Sequence, residues 1–574
     1  MFTRQYPNQT NGTGADFADL LLGFPSSGSV NTTTKLYDYV RYYSGFLQDD
    51  FRVSNKLTLN LGLRYEYETG VTESVNHLVV GFDQAATNPL AAGVTGITPL
   101  GALQFAGVGG NPSSCCHPSR TKFGPRAGAA YQVNSKTTVR AGWGMFYAPT
   151  IFNNDASIAP GYTQSTTYVA SNDGNATPAN SLSNPFPNGI LQPAGNSLGA
   201  LTAIGSTFNY LDQNRTAGIV HQFSADIQRE LPFGIALELG YIGSRSRHLQ
   251  PAPTGNGNMN INQVPASYLS LGSKLSSPVA NPFYGHGGSG VIGSATVAQA
   301  QLLMPFPEYS TIGEVTNPSH AQYDSMVIKA QKRMSAGLTF LSTFTWSKNR
   351  DNEFGNGTSN SFNGFSGSTP PSQPQDYYHL QNEWSLSSVD TPLRFTGTWS
   401  YALPFGKGRH FLGSNKLLDY VVGGWQMNGT VIYETGFPLF IFQQNLNSVI
   451  GTGEQRPNAS GISPAVSGSV EERIYGYINP AAFSQAPAFT FGNLSRSIGY
   501  RGPGTKNWDA SLFKDFKIRE RFNGQFRAEA LNAFNSPRFA NPNTQYAPNS
   551  SSFGKITYQA NLPRQLQLGV RFFF

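Results

Sequence analysis

Residues 56–67 read KLTLNLGLRYEY. Leu57, Leu59, Leu61, Leu63, Tyr65 and Tyr67 fall on one side of an extended chain. Thr58, Asn60, Gly62, Arg64 and Glu66 fall on the other. Side chains alternate across a strand with period two, so this is a β-strand with one apolar and one polar face. An aqueous sandwich also alternates, but seldom over such a length with charge kept to one side. The last ten residues, QLQLGVRFFF (565–574), repeat the pattern: Leu566, Leu568, Val570, Phe572 and Phe574 oppose Gln565, Gln567, Gly569 and Arg571. Each stretch has the length that a tilted strand needs to cross a bilayer.

Outward from these two, strands come in pairs. Residues 40–51 precede 56–67 across a four-residue link. Residues 122–133 pair with 137–146, 218–229 with 234–242, and 323–332 with 337–347. Further pairs are 393–402 with 421–434 and 508–516 with 524–534, and 564–574 closes the series. That is thirteen strands, with a fourteenth expected near 17–23. Between the pairs lie long segments rich in Gly, Asn, Ser, Thr and Pro, at about 69–120, 149–216, 244–320, 349–390, 435–506 and 535–563. Such loops are foreign to a compact soluble domain. Short turns alternating strictly with long loops are the habit of a transmembrane β-barrel, with the turns periplasmic and the loops outside. In lipid every backbone amide must be bonded within the protein, and a sheet meets that demand with an apolar face outward and a polar face inward. Trp143, Tyr147, Tyr241, Trp346 and Tyr401 suit the aromatic girdles at the two interfaces.

Composition agrees. Charged residues are 12% of 574, aromatics 13%, and 62 residues are Gly. The mean hydropathy is −0.30, so uncharged polar residues carry the polarity. A secreted β-solenoid or a large adhesin shares this composition. There is no run of 18 apolar residues and hence no transmembrane helix signal. The N-terminal residues 1–20 lack the apolar core of a signal peptide, so an export signal is expected upstream. The net charge of +7 is dispersed, without a basic cluster interleaved with aromatics, which argues against nucleic-acid binding.

The sequence offers no catalytic constellation. Its eight His are scattered, and it has no nucleophile motif, metal-ligand spacing or phosphate-cradling loop. No enzyme, cofactor or metal is expected. Cys115 and Cys116 are adjacent, either a strained vicinal disulfide or two loop thiols of local role. Asp351 and Glu353 are candidates for an outer-loop cation site, or more simply a solvated rim. Arg64, Glu66, Arg140, Glu238, Arg527 and Glu529 fall on the polar faces of their strands. They are the expected lumen-facing charges, pairing with one another or with a plug.

Several stretches carry a family resemblance. Among them are ADFADLLLGFPSS (15–27), YSGFLQDDFRVSNKLTLNLGLRYEYE (43–68), FGPRAGAAYQVNSKTTVRAGWGMFY (123–147), GGWQMNGTVIYETGFPL (423–439) and FRAEALNAFNSPRF (526–539). Together they resemble the C-terminal part of TonB-dependent receptor barrels of the Oar-like group. The resemblance implies an outer-membrane protein whose 574 residues supply thirteen or fourteen strands of a 22-strand barrel. Neither the plug domain nor the TonB-contacting segment is matched. It implies import of a scarce nutrient such as an iron chelate, cobalamin or an oligosaccharide, with the TonB complex as partner only where a plug is supplied upstream. Membrane lipid and the barrel assembly machinery are further implied partners. Phe572 and Phe574 resemble the C-terminal signal read by that machinery. A surface adhesin or structural barrel is the second reading, and a passive porin the third.

Overall fold

The computed structural model describes residues 16–149, 159–174, 176–251, 258–286, 290–354, 371–406, 408–412, 416–519 and 522–574. One antiparallel sheet dominates it. Its thirteen sequential strands are β1 (Tyr42–Arg52), β2 (Leu57–Glu68), β3 (Lys122–Asn134), β4 (Thr137–Tyr147), β5 (Ile219–Leu231), β6 (Ile235–Leu249), β7 (Ser319–Ser335), β8 (Leu338–Asp351), β9 (Leu393–Ala402), β10 (Trp425–Glu434), β11 (Thr505–Arg519), β12 (Phe522–Leu531) and β13 (Gln565–Phe573). Each pairs with its neighbours in chain order, and the two-residue strand Ser385–Leu386 joins the end of β8. The outer edges of β1 and β13 have no strand partner among the described residues.

All thirteen expected strands are present, with shifted bounds at several ends. The segment at 421–434 splits: helix Lys416–Val422 occupies its start and the strand begins only at Trp425. Strand β6 runs on to Leu249 and β7 starts at Ser319. The fourteenth strand expected near 17–23 is instead the helix Asp16–Leu22. Phe17, Leu20 and Leu21 recur at i, i+3 and i+4, a helical spacing with no alternation. The helix ends on Gly23 at φ 72°, whose N–H bonds the Leu20 carbonyl while the Phe24 N–H bonds that of Asp19, a left-handed cap that glycine favours.

Strict alternation of direction sends all the longest connections to one end of the sheet. Five pairs are joined at the other end by two to four residues. The link of β7 to β8 is Ala336-Gly337 with φ of 51° and 80°, the doubly left-handed turn whose twist matches two paired strands. A Cβ on Gly337 would lie 2.7 Å from the Ala402 carbonyl oxygen, so glycine is required there on both counts.

Side chains directly opposed in an antiparallel pair share a face, so the register carries each face across the sheet. Gly62 opposes Arg126, which opposes Gly144, then Gln222, Ser244, Tyr323 and Asn349. On the other side Leu61, Ala127, Trp143 and Phe223 run in the same way. The polar face continues through Arg394, Glu434 and Thr505, and through Ser511, Glu529 and Gln567. It is one mainly polar face across thirteen strands, with Phe46, Ile242, Val327 and Leu341 among its apolar members.

The apolar face is bare. Leu47 is 78% exposed, Leu566 and Leu568 73%, and Trp346 58%. The buried core lies instead in the long connections. Among the described residues, Val431 is the only buried hydrophobic residue that belongs to a strand of the large sheet. Phe82 and Phe105, Phe208 and Tyr210, and Phe283 and Tyr309 come from three different connections and pack into one cluster. Leu439, Tyr477 and Phe483 join Tyr546 and Phe553 in a second. The connections therefore fold on one another into a layer over one end of the sheet.

That layer explains the amide-rich composition. Buried irregular backbone must still be hydrogen bonded, and an Asn side chain offers two donors and an acceptor. Asn262 donates to the carbonyls of Phe306, Tyr309 and Ser310 at 3.0, 3.1 and 2.7 Å, while its own oxygen accepts from Phe306 N–H at 2.9 Å. Asn88 spans three segments, donating to Gly101 and Ala200 carbonyls and the Tyr309 hydroxyl. Asn281 and Gln455 do the same elsewhere.

Candidate functional site

The polar face is the one continuous surface that thirteen strands build together. The register puts Arg64, Glu66, Arg140, Glu238, Arg527 and Glu529 all on it. Arg140 lies between two strands' worth of acid. Its guanidinium is 2.9 Å from Asp226 and 3.6 Å from Glu238, and it donates to Gln228 at 3.3 Å. Arg64 bonds Glu66 at 2.5 Å on its own strand and the Tyr42 hydroxyl at 3.2 Å. Arg527 and Glu529 are neighbours on β12 without pairing: Arg527 donates to Gln525 at 2.5 Å and lies 4.8 Å over the Phe513 ring. Asp226 is the member that strand patterns did not single out, because its relation to Arg140 depends on β4–β5 register. Where the polar face meets the loop layer, a buried Lys122–Glu68 pair closes at 3.2 Å.

Between β1 and β7 the polar face carries a groove of about 720 Å³. Its floor is Gly62, Gly128, Gly142 and Gly144, and its walls include Arg126, Phe146, Gln222 and Tyr323. A Cβ on Gly62, Gly128 or Gly142 would meet nothing nearer than 3.6 Å. The backbone there does not demand glycine, and glycine weakens a strand interior. What these three preserve is open space above the sheet, whereas a Cβ on Gly144 would meet the Phe146 ring at 3.0 Å. Arg126 stacks 4.6 Å over Phe146 at one wall, which holds a cation beside amides and hydroxyls.

The loop layer decides between the two readings of Cys115 and Cys116 and corrects that of Asp351 and Glu353. Cys115 and Cys116 form no disulfide, and both are buried with Val71, Leu78, Val80 and Leu211. They act as small apolar residues, and Gly70 leaves room for their carbonyls. Asp351 and Glu353 are not a solvated rim. Asp351 pairs with the buried Arg496 at 2.5 Å, and Glu353 is pushed up to about 7, chiefly by burial and then by the Asp351 charge. No group of three or more His, Cys, Asp or Glu among the described residues could hold a metal. Arg456 with Glu383 at 2.6 Å, and Arg501 with Asp390, make two further clamps. All three Arg come from 435–504, and their acids come from the end of β8 or from 352–392. The sequence singled out Asp351 and Glu353 but not these partners, since the members of each clamp lie 73 to 145 residues apart.

Trp143, Tyr147, Tyr241, Trp346 and Tyr401 all lie on the bare apolar face. Tyr401 sits near the short-turn end and the others toward the loop layer. An exposed apolar face bordered by aromatic residues at two heights, over a sheet polar behind, defines a membrane-spanning β-sheet protein.

The chain belongs to the outer membrane beta barrel domain family, which matches residues 1–567. The protein is thus an outer-membrane protein. Among curated proteins, none matches the sequence. Among solved structures, it is similar to the outer membrane transporter YddB from Escherichia coli, at 10% identity and a TM-score of 0.40, covering 93% of this chain and 45% of that one. It is similar to the ferripyoverdine receptor of the outer membrane of Pseudomonas aeruginosa, at 10% identity and 0.37, covering 94% and 39%. It is also similar to the ferric-catecholate import receptor Fiu from K12 E. coli, at 11% and 0.36, covering 93% and 45%. The chain spans less than half the length of each.

Proposed function

We propose that residues 1–574 form the wall and outer-loop layer of a TonB-dependent outer-membrane receptor that imports a scarce nutrient. The observation that carries this is the mainly polar face that runs over thirteen strands, roofed at one end by a folded loop layer. In the proposed reading the polar face lines a lumen, and the loop layer meets the ligand first. Arg64, Glu66, Arg140, Glu238, Arg527 and Glu529 are then lumen charges. The ligand is of the iron-chelate, cobalamin or oligosaccharide type. The free edges of β1 and β13 take further strands to complete a 22-strand barrel, and a plug domain couples it to the TonB complex. Phe572 and Phe574 serve as the assembly signal, because they end an apolar-faced strand at the short-turn side.

Single-cysteine labelling in native outer membrane tests the topology. A cysteine at Gln222 reacts with a water-soluble maleimide, and one at Leu239 reacts only with a lipid-phase reagent. Gene deletion then removes growth on one limiting nutrient, and de-energising the inner membrane has the same effect. Uptake that persists without the TonB complex would replace the receptor reading with a passive porin. Loss of cell attachment with unchanged uptake would replace it with an adhesin.

A further inference from the structure

The three clamp arginines of the loop layer differ in how fully they are bonded. Arg496 donates from Nε to the Ser385 hydroxyl, from Nη1 to the Glu353 carbonyl and from Nη2 to Asp351. Arg501 donates from Nη1 to the Asp390 and Gly436 carbonyls and from Nη2 to the Asp390 carboxylate. Arg456 donates from Nη1 to Glu383 at 2.6 Å, and its Nε and Nη2 have no acceptor among the described residues. It is nonetheless 4% exposed. A guanidinium carries five N–H donors, and buried donors call for acceptors.

Arg456 lines a cleft of about 390 Å³ between residues 375–383 and 491–495. Gln375 ties its floor together. The Gln375 side-chain oxygen accepts from the N–H of Arg456 and of Gly492 at 2.8 and 3.1 Å, and its amide donates to the Gly492 carbonyl at 2.9 Å. A Cβ on Gly492 would lie 1.8 Å from the Arg456 carbonyl oxygen, so glycine is what lets the two segments close. Asn382 and Ser495 are exposed at the rim, and Phe491 is half-buried in the wall. The Asn382 amide and the Ser495 hydroxyl are bonded to no other side chain or backbone group among the described residues.

Charge and size select the ligand. Glu383 already neutralises Arg456, and Asp376 adds a second carboxylate to the lining. An anionic group would meet more acid than base there. Small-molecule sites run from about 300 to 1,000 Å³, so this cleft is at the small end and takes one or two rings, not a corrin. A neutral ring dense in hydroxyls meets every group present. Its oxygens accept from Arg456, its hydroxyls exchange bonds with the rim, and its C–H face covers an aromatic ring.

We infer that this cleft binds a neutral sugar residue of an oligosaccharide, held by Arg456, Asn382 and Ser495 and lying on Phe491. The inference rests on the receptor reading and chooses the oligosaccharide among its three ligand types.

The test presents the full chain in detergent to an array of neutral and acidic oligosaccharides, and measures the affinity of the best neutral one by calorimetry. Neutral oligosaccharides should bind, about tenfold more weakly to N382A/S495A and to F491A. Binding should be lost in R456K, which keeps a charge beside Glu383 but not the planar fork. N382A/S495A alters exposed groups without partners in the protein, so its loops should exchange hydrogen like those of wild type. Binding to no neutral oligosaccharide, a preference for acidic ones, or an affinity unchanged in both N382A/S495A and F491A overturns the site. Uptake in cells separates the site from the reading it rests on. An oligosaccharide that binds at the cleft but enters without the TonB complex, or does not enter at all, upholds the site and defeats the receptor reading. TonB-dependent uptake of another nutrient, with no oligosaccharide bound, defeats only the site.

Discussion

The sheet and the loop layer use the same residue types in opposite ways. In the sheet, Leu47, Leu239 and Leu566 lie on the apolar face and are exposed. In the loop layer, Phe283, Tyr309 and Leu439 are sealed at 0% exposure. Polar groups invert likewise. The sheet's Gln222 and Ser224 line an open groove, while the layer's Asn262 and Asn88 are fully buried and spend their amides on backbone carbonyls. The hydrophobic effect drives burial only against water. A face meant for acyl chains needs no protein partner, whereas a loop layer in water must build its own core. The difference teaches that one chain is solving two solvation problems, joined at the loop-side ends of the strands.

The most damaging way to break the comparison is in the layer's ion clamps. R496A leaves Asp351 buried without its partner, and losing one member of a buried pair costs about 3–5 kcal/mol. Hydrogen exchange should rise across 352–392 and 435–504, with the amides of β4–β6 still protected. Exchange rising equally in the sheet would show that the two regions are not separate units.

Next in size is the outward face. L239R should cost about 2–4 kcal/mol in bilayer folding assays, whereas S224R, on the polar face of the adjacent strand, should cost less than about 1 kcal/mol. Equal costs would mean that the two faces meet the same medium. N262L should cost about 1–3 kcal/mol through the carbonyls it leaves unsatisfied, read as faster proteolysis of the loops.

Glu308 sharpens the comparison through pH. It is buried at 0% exposure with neither carboxyl oxygen hydrogen bonded, and burial pushes its pKa up from 4.5 to about 8. The folded layer prefers the protonated acid, while an unfolded loop ionises above about 4.5. The stability contributed by the neutral form is full below pH 4.5 and is lost as pH rises through 8. E308Q should remove that slope and stabilise the layer at pH 8 by roughly 1–3 kcal/mol, measured by loop-specific exchange between pH 5 and 8.5. An unchanged slope would assign the pH dependence elsewhere. The smallest effect is expected for R140Q. Its pairs are partly exposed, so stability should move by less than about 1 kcal/mol, and the change should show in ligand passage rather than in folding.

The thirteen strands were legible because a period of two survives in local sequence. KLTLNLGLRYEY shows its faces without reference to any neighbour. That Arg64, Glu66, Arg140, Glu238, Arg527 and Glu529 share the polar face was legible on the same ground, since alternation alone places them opposite the apolar residues. The helix at 16–22 was misread because a short apolar run does not distinguish helix from strand unless its spacing is weighed. Asp226 was missed because pairing with Arg140 requires knowing which strand lies beside β4 and in what register. Arg496 and Asp351 are 145 residues apart, and no local pattern links them.

By itself the sequence determined which residues share a face and which end of each strand bears a long connection. Both follow from backbone geometry repeated residue by residue. Only the tertiary structure decided that the connections have a core, that Cys115 and Cys116 are buried without a disulfide, and that Asp351 is clamped rather than solvated. Those outcomes depend on which distant segments meet, and in irregular backbone contact partners leave no period in the chain.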